Sequence, residues 1–211
     1  MSNFFCPRPW TSTFVDSNGQ QSICCRCSVS IPTKTLDFNH EQVRKVRLQM
    51  LNNEVPESCS YCTNVEKSGA TSLRKYTLEY EELKFEQAKA ATDETGKTTL
   101  IPTNHDIVLG NKCNLRCMTC TPTSSSAWVE DWDFITQGKK NDYFSIVPVK
   151  GKLKLLPDIY DWPSDQGYID SIWESIKESG KRGKSNVWFS GGEATLQPAF
   201  NLTCKKSLSF R

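Results

Sequence analysis

Cys113-Asn-Leu-Arg-Cys117-Met-Thr-Cys120 sets three thiols on one short loop, with three and then two residues between them. Such a loop can carry three sulfurs to three corners of a metal cluster. Most 4Fe–4S clusters take four cysteines, so three ligands leave one iron open. An open position separates a metal site that binds substrate or cofactor from a closed structural one.

Working outward, His105-Asp-Ile-Val-Leu-Gly110 reads as a short buried strand that ends at this loop. Beyond it, Ser124 is placed to cap a helix through Trp128, Trp132 and Ile135. Residues Gln137 to Gln166 are rich in Lys, Gly, Pro and Asp and read as a loop-rich insertion. Tyr168 to Ser179 reads as a helix with Ile169, Ile172, Trp173 and Ile176 inside. A second strand, Asn186-Val-Trp-Phe-Ser190, runs into Gly191-Gly192-Glu193. This is a β–α–β pattern with a motif at the carboxyl end of each strand, where parallel α/β sheets and barrels hold ligands. Two glycines allow close backbone approach to a ligand, and the Glu193 carboxylate suits a cationic amine.

The three-cysteine motif and the Gly-Gly-Glu segment together resemble the radical S-adenosylmethionine (SAM) superfamily, which uses the same cysteine spacing. Asn114 and Leu115 fit that resemblance. Thr119 stands where the family usually carries an aromatic residue near the adenine. The resemblance implies a 4Fe–4S cluster on Cys113, Cys117 and Cys120, with SAM on its open iron. Gly191, Gly192 and Glu193 then bind the amino end of SAM. The implied chemistry is reductive cleavage of SAM to a 5′-deoxyadenosyl radical that abstracts hydrogen from a peptide or small metabolite, with an electron donor as a further partner. The alternatives are a zinc knuckle, or a ferredoxin-like cluster completed by Cys204.

A second cysteine set lies upstream. Apolar and β-prone residues flank Asn18-Gly19, a hairpin signal. Asn39 reads as a helix N-cap with Gln42 three residues on, and Val43, Val46, Met50 and Leu51 form an apolar stripe on that helix. Pro56 is expected to stop it, with Cys59-Ser-Tyr-Cys62 in the loop beyond. A second helix is expected from about Ser72 to Ala91, with Leu73, Tyr76, Tyr80 and Leu83 on one packing face. Cys6, the hairpin Gly19, Cys24 and the Cys59/Cys62 pair resemble the auxiliary-cluster segment of twitch and SPASM domains. The resemblance implies one auxiliary 4Fe–4S cluster on Cys6, Cys24, Cys59 and Cys62. Cys25 or Cys27 could replace Cys24, and zinc is the alternative metal. Placed before the barrel, the module resembles a smaller group of twitch-containing radical SAM proteins, some of them phage-associated. Glu66, Gly69, Ser72 and Arg74 fit that group.

The expected fold class is α/β: a partial radical SAM (β/α) barrel over residues 103–211, preceded by a small α+β iron–sulfur module over 1–92 and a polar linker over 93–102. Only two barrel strands are legible, so the chain is expected to be truncated or completed by a second chain. With 211 residues, ten cysteines and a formal net charge of +2, no strong field argues for nucleic acid. No apolar run is long enough to span a membrane. No secretory signal is legible, so a cytoplasmic, reducing setting is expected, where clustered cysteines bind metal more often than they form disulfides. His40 and His105 are the only histidines and are expected to be surface or packing residues.

Overall fold

The computed structural model describes residues 4–32, 34–139, 144–156, 162–183, 185–197 and 200. Pro9 lies in α1 (Arg8–Thr11), a single turn with proline near its start, where a missing N–H costs nothing. The chain then enters β1 (Ser12–Val15) and returns in β2 (Gln21–Ser22). Gly19 makes the turn at φ +76, and its N–H donates to the Asp16 carbonyl at 3.0 Å. The Asn-Gly hairpin is therefore where the sequence places it.

Helix α2 (Glu41–Leu51) buries Val43, Val46 and Met50 as its stripe predicts. Its ends differ from expectation. The N-cap is His40, whose ring accepts from the Gln42 N–H. Pro56 does not stop the helix. Asn53 does, in the left-handed region at φ 60. Its N–H donates to Met50 O, and the Glu54 N–H donates to Gln49 O, a pair of bonds that satisfies carbonyls the helix would otherwise leave open. The same buried face also holds Arg47, which is fully buried.

Cys59 ends a short 3-10 turn (Glu57–Cys59), and Cys62 lies in the first turn of α3 (Ser60–Lys67), so the pair sits at a helix start rather than in a loop. The helix expected from Ser72 to Ala91 is two helices, α4 (Leu73–Tyr80) and α5 (Phe85–Ala90). Ser72 caps α4 by accepting from the Lys75 N–H. The expected packing face is only partly right: Tyr76 and Tyr80 are exposed and rest on each other at 4.4 Å between centroids. Asp93 to Thr98 forms a turn, closed by a Thr92–Thr98 bridge. A Cβ on Gly96 would lie 2.5 Å from the Arg44 carbonyl, so this polar stretch is packed against α2.

The downstream elements are β3 (Asn104–Val108), α6 (Trp128–Thr136), β4 (Ser145–Val149), β5 (Lys152–Leu156), α7 (Gln166–Lys181) and β6 (Asn186–Ser190). Helix α6 is not capped by Ser124; its N-cap is Ala127, and Ile135 is exposed. Within the expected loop-rich insertion, β4 and β5 pair antiparallel from Ser145↔Leu156 to Val149↔Lys152. Lys150 and Gly151 both have positive φ, the requirement of a two-residue hairpin turn. Helix α7 buries Ile169, Ile172, Trp173 and Ile176, as its periodicity predicts, and Tyr168 with them.

The sheet order is β2-β1-β3-β6, with β4-β5 a separate pair. Thr103 O accepts from the Asn186 N–H and the Leu109 N–H donates to Ser190 O, so β3 and β6 run in the same direction. The class is α/β. The chain divides into two compact units. The first comprises Met1–Phe14, Gln20–Asp106 and Asp170–Trp188; the second comprises Val15–Gly19, Ile107–Ile169 and Phe189–Arg211. The first is built on Phe5, Trp10, Ile23, Ile31, Val43, Val46, Met50 and Ala88. In the second, Ile107, Leu109, Val129 and Leu155 are buried. Among the described residues no helix is long and apolar enough to cross a membrane.

Candidate metal centres

In the first unit Cys6, Cys24, Cys27, Cys59 and Cys62 line one cavity, walled by Phe4, Pro9, Ile23, Met50, Val55, Pro56 and Leu73. They arrive from four segments. Cys6 precedes α1, Cys24 and Cys27 follow β2, Cys59 ends the 3-10 turn and Cys62 starts α3. The Cys27 N–H donates to Cys24 O (3.1 Å), forming a tight turn, and the Ser28 N–H donates to Ser58 O (2.9 Å), tying that turn to the Cys59 segment. Cys25 is exposed and does not line the cavity.

Burial pushes the Cys6 and Cys24 thiols up to about 12, against backbone N–H bonds from Arg8 and Arg26 that pull the other way. Cys27 is drawn down to about 6, first by a hydrogen bond from the Cys59 thiol and in spite of its burial. The Cys59 thiol is raised by the same bond and by burial. Binding a metal here must therefore release protons, because thiolates are the ligands.

Three arginines, Arg8, Arg26 and Arg74, also line the cavity. Arg74 is fixed from behind: its Nε donates to Glu66 Oε1 (3.0 Å), its Nη2 pairs with Glu66 Oε2, and its Nη1 donates to Phe5 O (3.1 Å), next to Cys6. The Ser72 hydroxyl donates to the same carboxylate. Burial works against ionised Glu66, but the bonds from Arg74 and Ser72 hold its carboxyl below the ordinary range. Gly69 turns at φ +82 with nothing within 4 Å of where a Cβ would stand.

In the second unit Cys113, Cys117 and Cys120 follow the end of β3. Cys117 is exposed, and Cys113 and Cys120 are half-buried. The Cys120 N–H donates to Cys117 O (2.9 Å), and the Leu115 N–H points to Cys113 Sγ at 3.4 Å. The loop is anchored from behind. The Cys113 N–H donates to Ser126 Oγ (3.2 Å), the Ser125 hydroxyl donates to Leu115 O (2.6 Å), and the Trp128 indole N–H donates to Cys117 O (3.0 Å).

Gly191, Gly192 and Glu193 lie directly against the segment before Cys113. A Cβ on Gly191 would lie 2.1 Å from Val108 Cγ1, and one on Gly192 would lie 2.4 Å from Lys112 O. The Glu193 N–H donates to that same Lys112 carbonyl (2.9 Å), as does Gln197 Nε2 (2.6 Å). The glycines thus allow close approach to the chain's own backbone. The Glu193 carboxylate accepts from the Thr195 hydroxyl (2.8 Å) and caps the short turn Ala194–Leu196.

Comparison with protein-family models, curated proteins and solved structures finds no match.

Among the described residues, no three His, Cys, Asp or Glu side chains stand together as a ready metal-ligand group. The donor chemistry nonetheless fits: thiolates are soft ligands for iron–sulfur clusters and zinc, five of them share one cavity, and three share one loop. Cys204 lies outside the described residues. Sequence reading ranked Cys27 only as a substitute for Cys24, whereas both line the cavity. It also did not find Gln197, whose buried amide grips Lys112. His105 is a packing residue, its ring nitrogens meeting Thr13 Oγ1 (2.9 Å) and Ser179 Oγ (3.2 Å).

Proposed function

We propose that this chain is an iron–sulfur protein of the radical SAM type, with a SAM-binding 4Fe–4S site at Cys113, Cys117 and Cys120 and an auxiliary metal site upstream. The observation that carries the reading is the shared Lys112 carbonyl. It ties Glu193 and Gln197 to the residue just before Cys113. Two motifs about 80 residues apart in the sequence, each weak alone, are thus neighbours in space.

In this reading the cysteine loop supplies three thiolates, of which Cys117 is exposed. The bound cluster and SAM would supply reductive cleavage and a radical that removes hydrogen from substrate. The chain's own part is positional. Gly191 and Gly192 seat the segment against the end of β3. Thr195 and the Glu193 N–H fix where the carboxylate stands, and that carboxylate would hold the ammonium group of SAM. The substrate class, a peptide or small metabolite, an electron donor, a partial barrel over 103–211 and a cytoplasmic setting belong to the same proposal.

The test is anaerobic reconstitution with iron and sulfide, followed by titration with SAM. SAM should alter the electron paramagnetic resonance signal of the reduced cluster, and Glu193→Gln should weaken that response at least tenfold. A signal indifferent to SAM rejects the reading. A second reading, a non-enzymatic metal protein, is favoured by one observation: both glycines and Glu193 already have partners within the chain. Under it, Glu193→Gln leaves the metal spectrum unchanged, and SAM has no effect on either protein.

A further inference from the structure

We propose that Cys27 is a ligand of the upstream metal site, filling a coordination position that Cys62 can also fill; this rests on the upstream cysteines binding metal at all. Five thiols line a cavity where a tetrahedral ion or a cubane needs four. Cys27 is no bystander among them. It lines the same cavity as Cys6, Cys24, Cys59 and Cys62. Its backbone is turned toward Cys24 by the Cys27 N–H to Cys24 O bond, and the next residue is bonded to the Cys59 segment. Ser22 Oγ reaches both carbonyls of that turn, Cys24 O at 3.5 Å and Cys27 O at 3.4 Å. The turn therefore presents Cys24 and Cys27 together, much as Cys59 and Cys62 are presented by the start of α3.

Cys62 has the looser claim. The Ser28–Ser58 bond ties the Cys24/Cys27 turn to the segment that carries Cys59, whereas Cys62 stands further on, within α3, and lines the same cavity from there. The arrangement is two cysteine pairs, Cys24/Cys27 and Cys59/Cys62, plus Cys6, closing on one space. Ligation exchanges each S–H for a metal–sulfur bond and releases its proton to buffer, with no change in oxidation state.

The probe is Co²⁺, added anaerobically to the reduced full chain in which Cys113, Cys117, Cys120 and Cys204 are replaced by Ser. The intensity of the sulfur-to-cobalt charge-transfer band counts bound thiolates. The parent should show four. Cys62→Ala should still show four, because Cys27 fills the position, and Cys27→Ser/Cys62→Ala should show three, with affinity at least tenfold lower. Cys62→Ser repeats the test with a polar replacement should the alanine variant fold poorly. Three thiolates in the Cys62 single variants overturn the proposal. Four in the double variant also overturn it, by giving the position to another sulfur. A parent with no charge-transfer band removes the upstream metal site itself, and the role of Cys27 with it, an outcome distinct from the other two.

Discussion

The two cysteine regions use the same ligand type in opposite settings. Upstream, five thiols drawn from four segments line a cavity together with apolar side chains and three arginines. Downstream, three thiols from one loop sit at or near the surface, beside Met118, which is 97% exposed. Around the upstream cavity Cys6 and Cys62 are buried and Cys24, Cys27 and Cys59 half-buried, whereas downstream none of the three is buried and Cys117 is exposed. The contrast matches the division between closed and open metal sites. It also says where stability and function should separate. Damage near the upstream site should be felt by the whole first unit, and damage downstream should be felt first by the loop.

The strongest way to break the upstream half is through Arg47. Its guanidinium donates to Pro9 O (2.8 Å), Phe38 O (2.7 Å), Gly96 O (3.3 Å) and Asn39 Oδ1 (2.7 Å). Burial lowers its pKa to about 9. Arg47→Ala strands several buried acceptors and opens a cavity, so we expect a loss of about 4 kcal/mol. Urea unfolding should show it as a lower midpoint. An unchanged midpoint would mean that this network does not hold the first unit together.

The matching change downstream is Gly192→Ala. It places a Cβ 2.4 Å from the Lys112 carbonyl at φ +55, and we expect about 3 kcal/mol of destabilisation. Amide exchange should rise from Leu109 to Cys120 before the first unit is affected. Gly69→Ala is the control. Its φ of +82 strains any side chain, yet no atom lies within 4 Å, so its cost should be only about 1 kcal/mol. Equal costs would show that backbone conformation, not the close approach to Lys112, is what Gly192 supplies.

Much of this contrast is legible in the residue order, and its gaps have physical causes. Motif spacing located both cysteine sets, and apolar pattern located α2, α7 and β3, because each has one buried face; β6 is marked instead by its apolar Val-Trp-Phe run before Gly191. Arg47 escaped that reading because a charged residue on an apolar face looks like an interruption until its carbonyl partners are seen. The β4–β5 hairpin escaped it because Lys150-Gly151 lies among lysines, and the face shared by Ile146, Pro148, Leu153 and Leu155 is too short and mixed to stand out as an alternation. The Ser72–Ala91 stretch carries helix formers throughout, and nothing local marks the break at Glu81 to Lys84. Cys27 could be named only as a substitute for Cys24, since membership of a cavity is a property of the fold.

His105 offers a smaller, pH-dependent test within the first unit. Burial lowers its pKa from 6.5 to about 4. Above pH 6.5 the ring is neutral in both folded and unfolded chains, and stability does not depend on it. Between 6.5 and about 4 only the unfolded chain takes up the proton. Stability therefore falls as pH is lowered through that window, by about 3 kcal/mol at most. His105→Gln should remove this part of the acid sensitivity, seen as a flatter plot of unfolding free energy against pH. A slope identical to that of the unchanged chain would place the acid-sensitive groups elsewhere.

The smallest expected effect sharpens the comparison most. Arg116, inside the downstream loop, pairs with Asp131 of α6 at 2.7 Å, with both side chains about half exposed. Its Nε also donates to Ala127 O (3.0 Å). An ion pair this open to water contributes little, so Asp131→Asn should cost less than about 0.5 kcal/mol, and less still at high salt. The loop should keep its shape, because Ser125, Ser126 and Trp128 hold it independently. A loss as large as that of Gly192→Ala would mean that the loop depends on its rim, and the downstream site would then be far less well anchored than its hydrogen bonds imply.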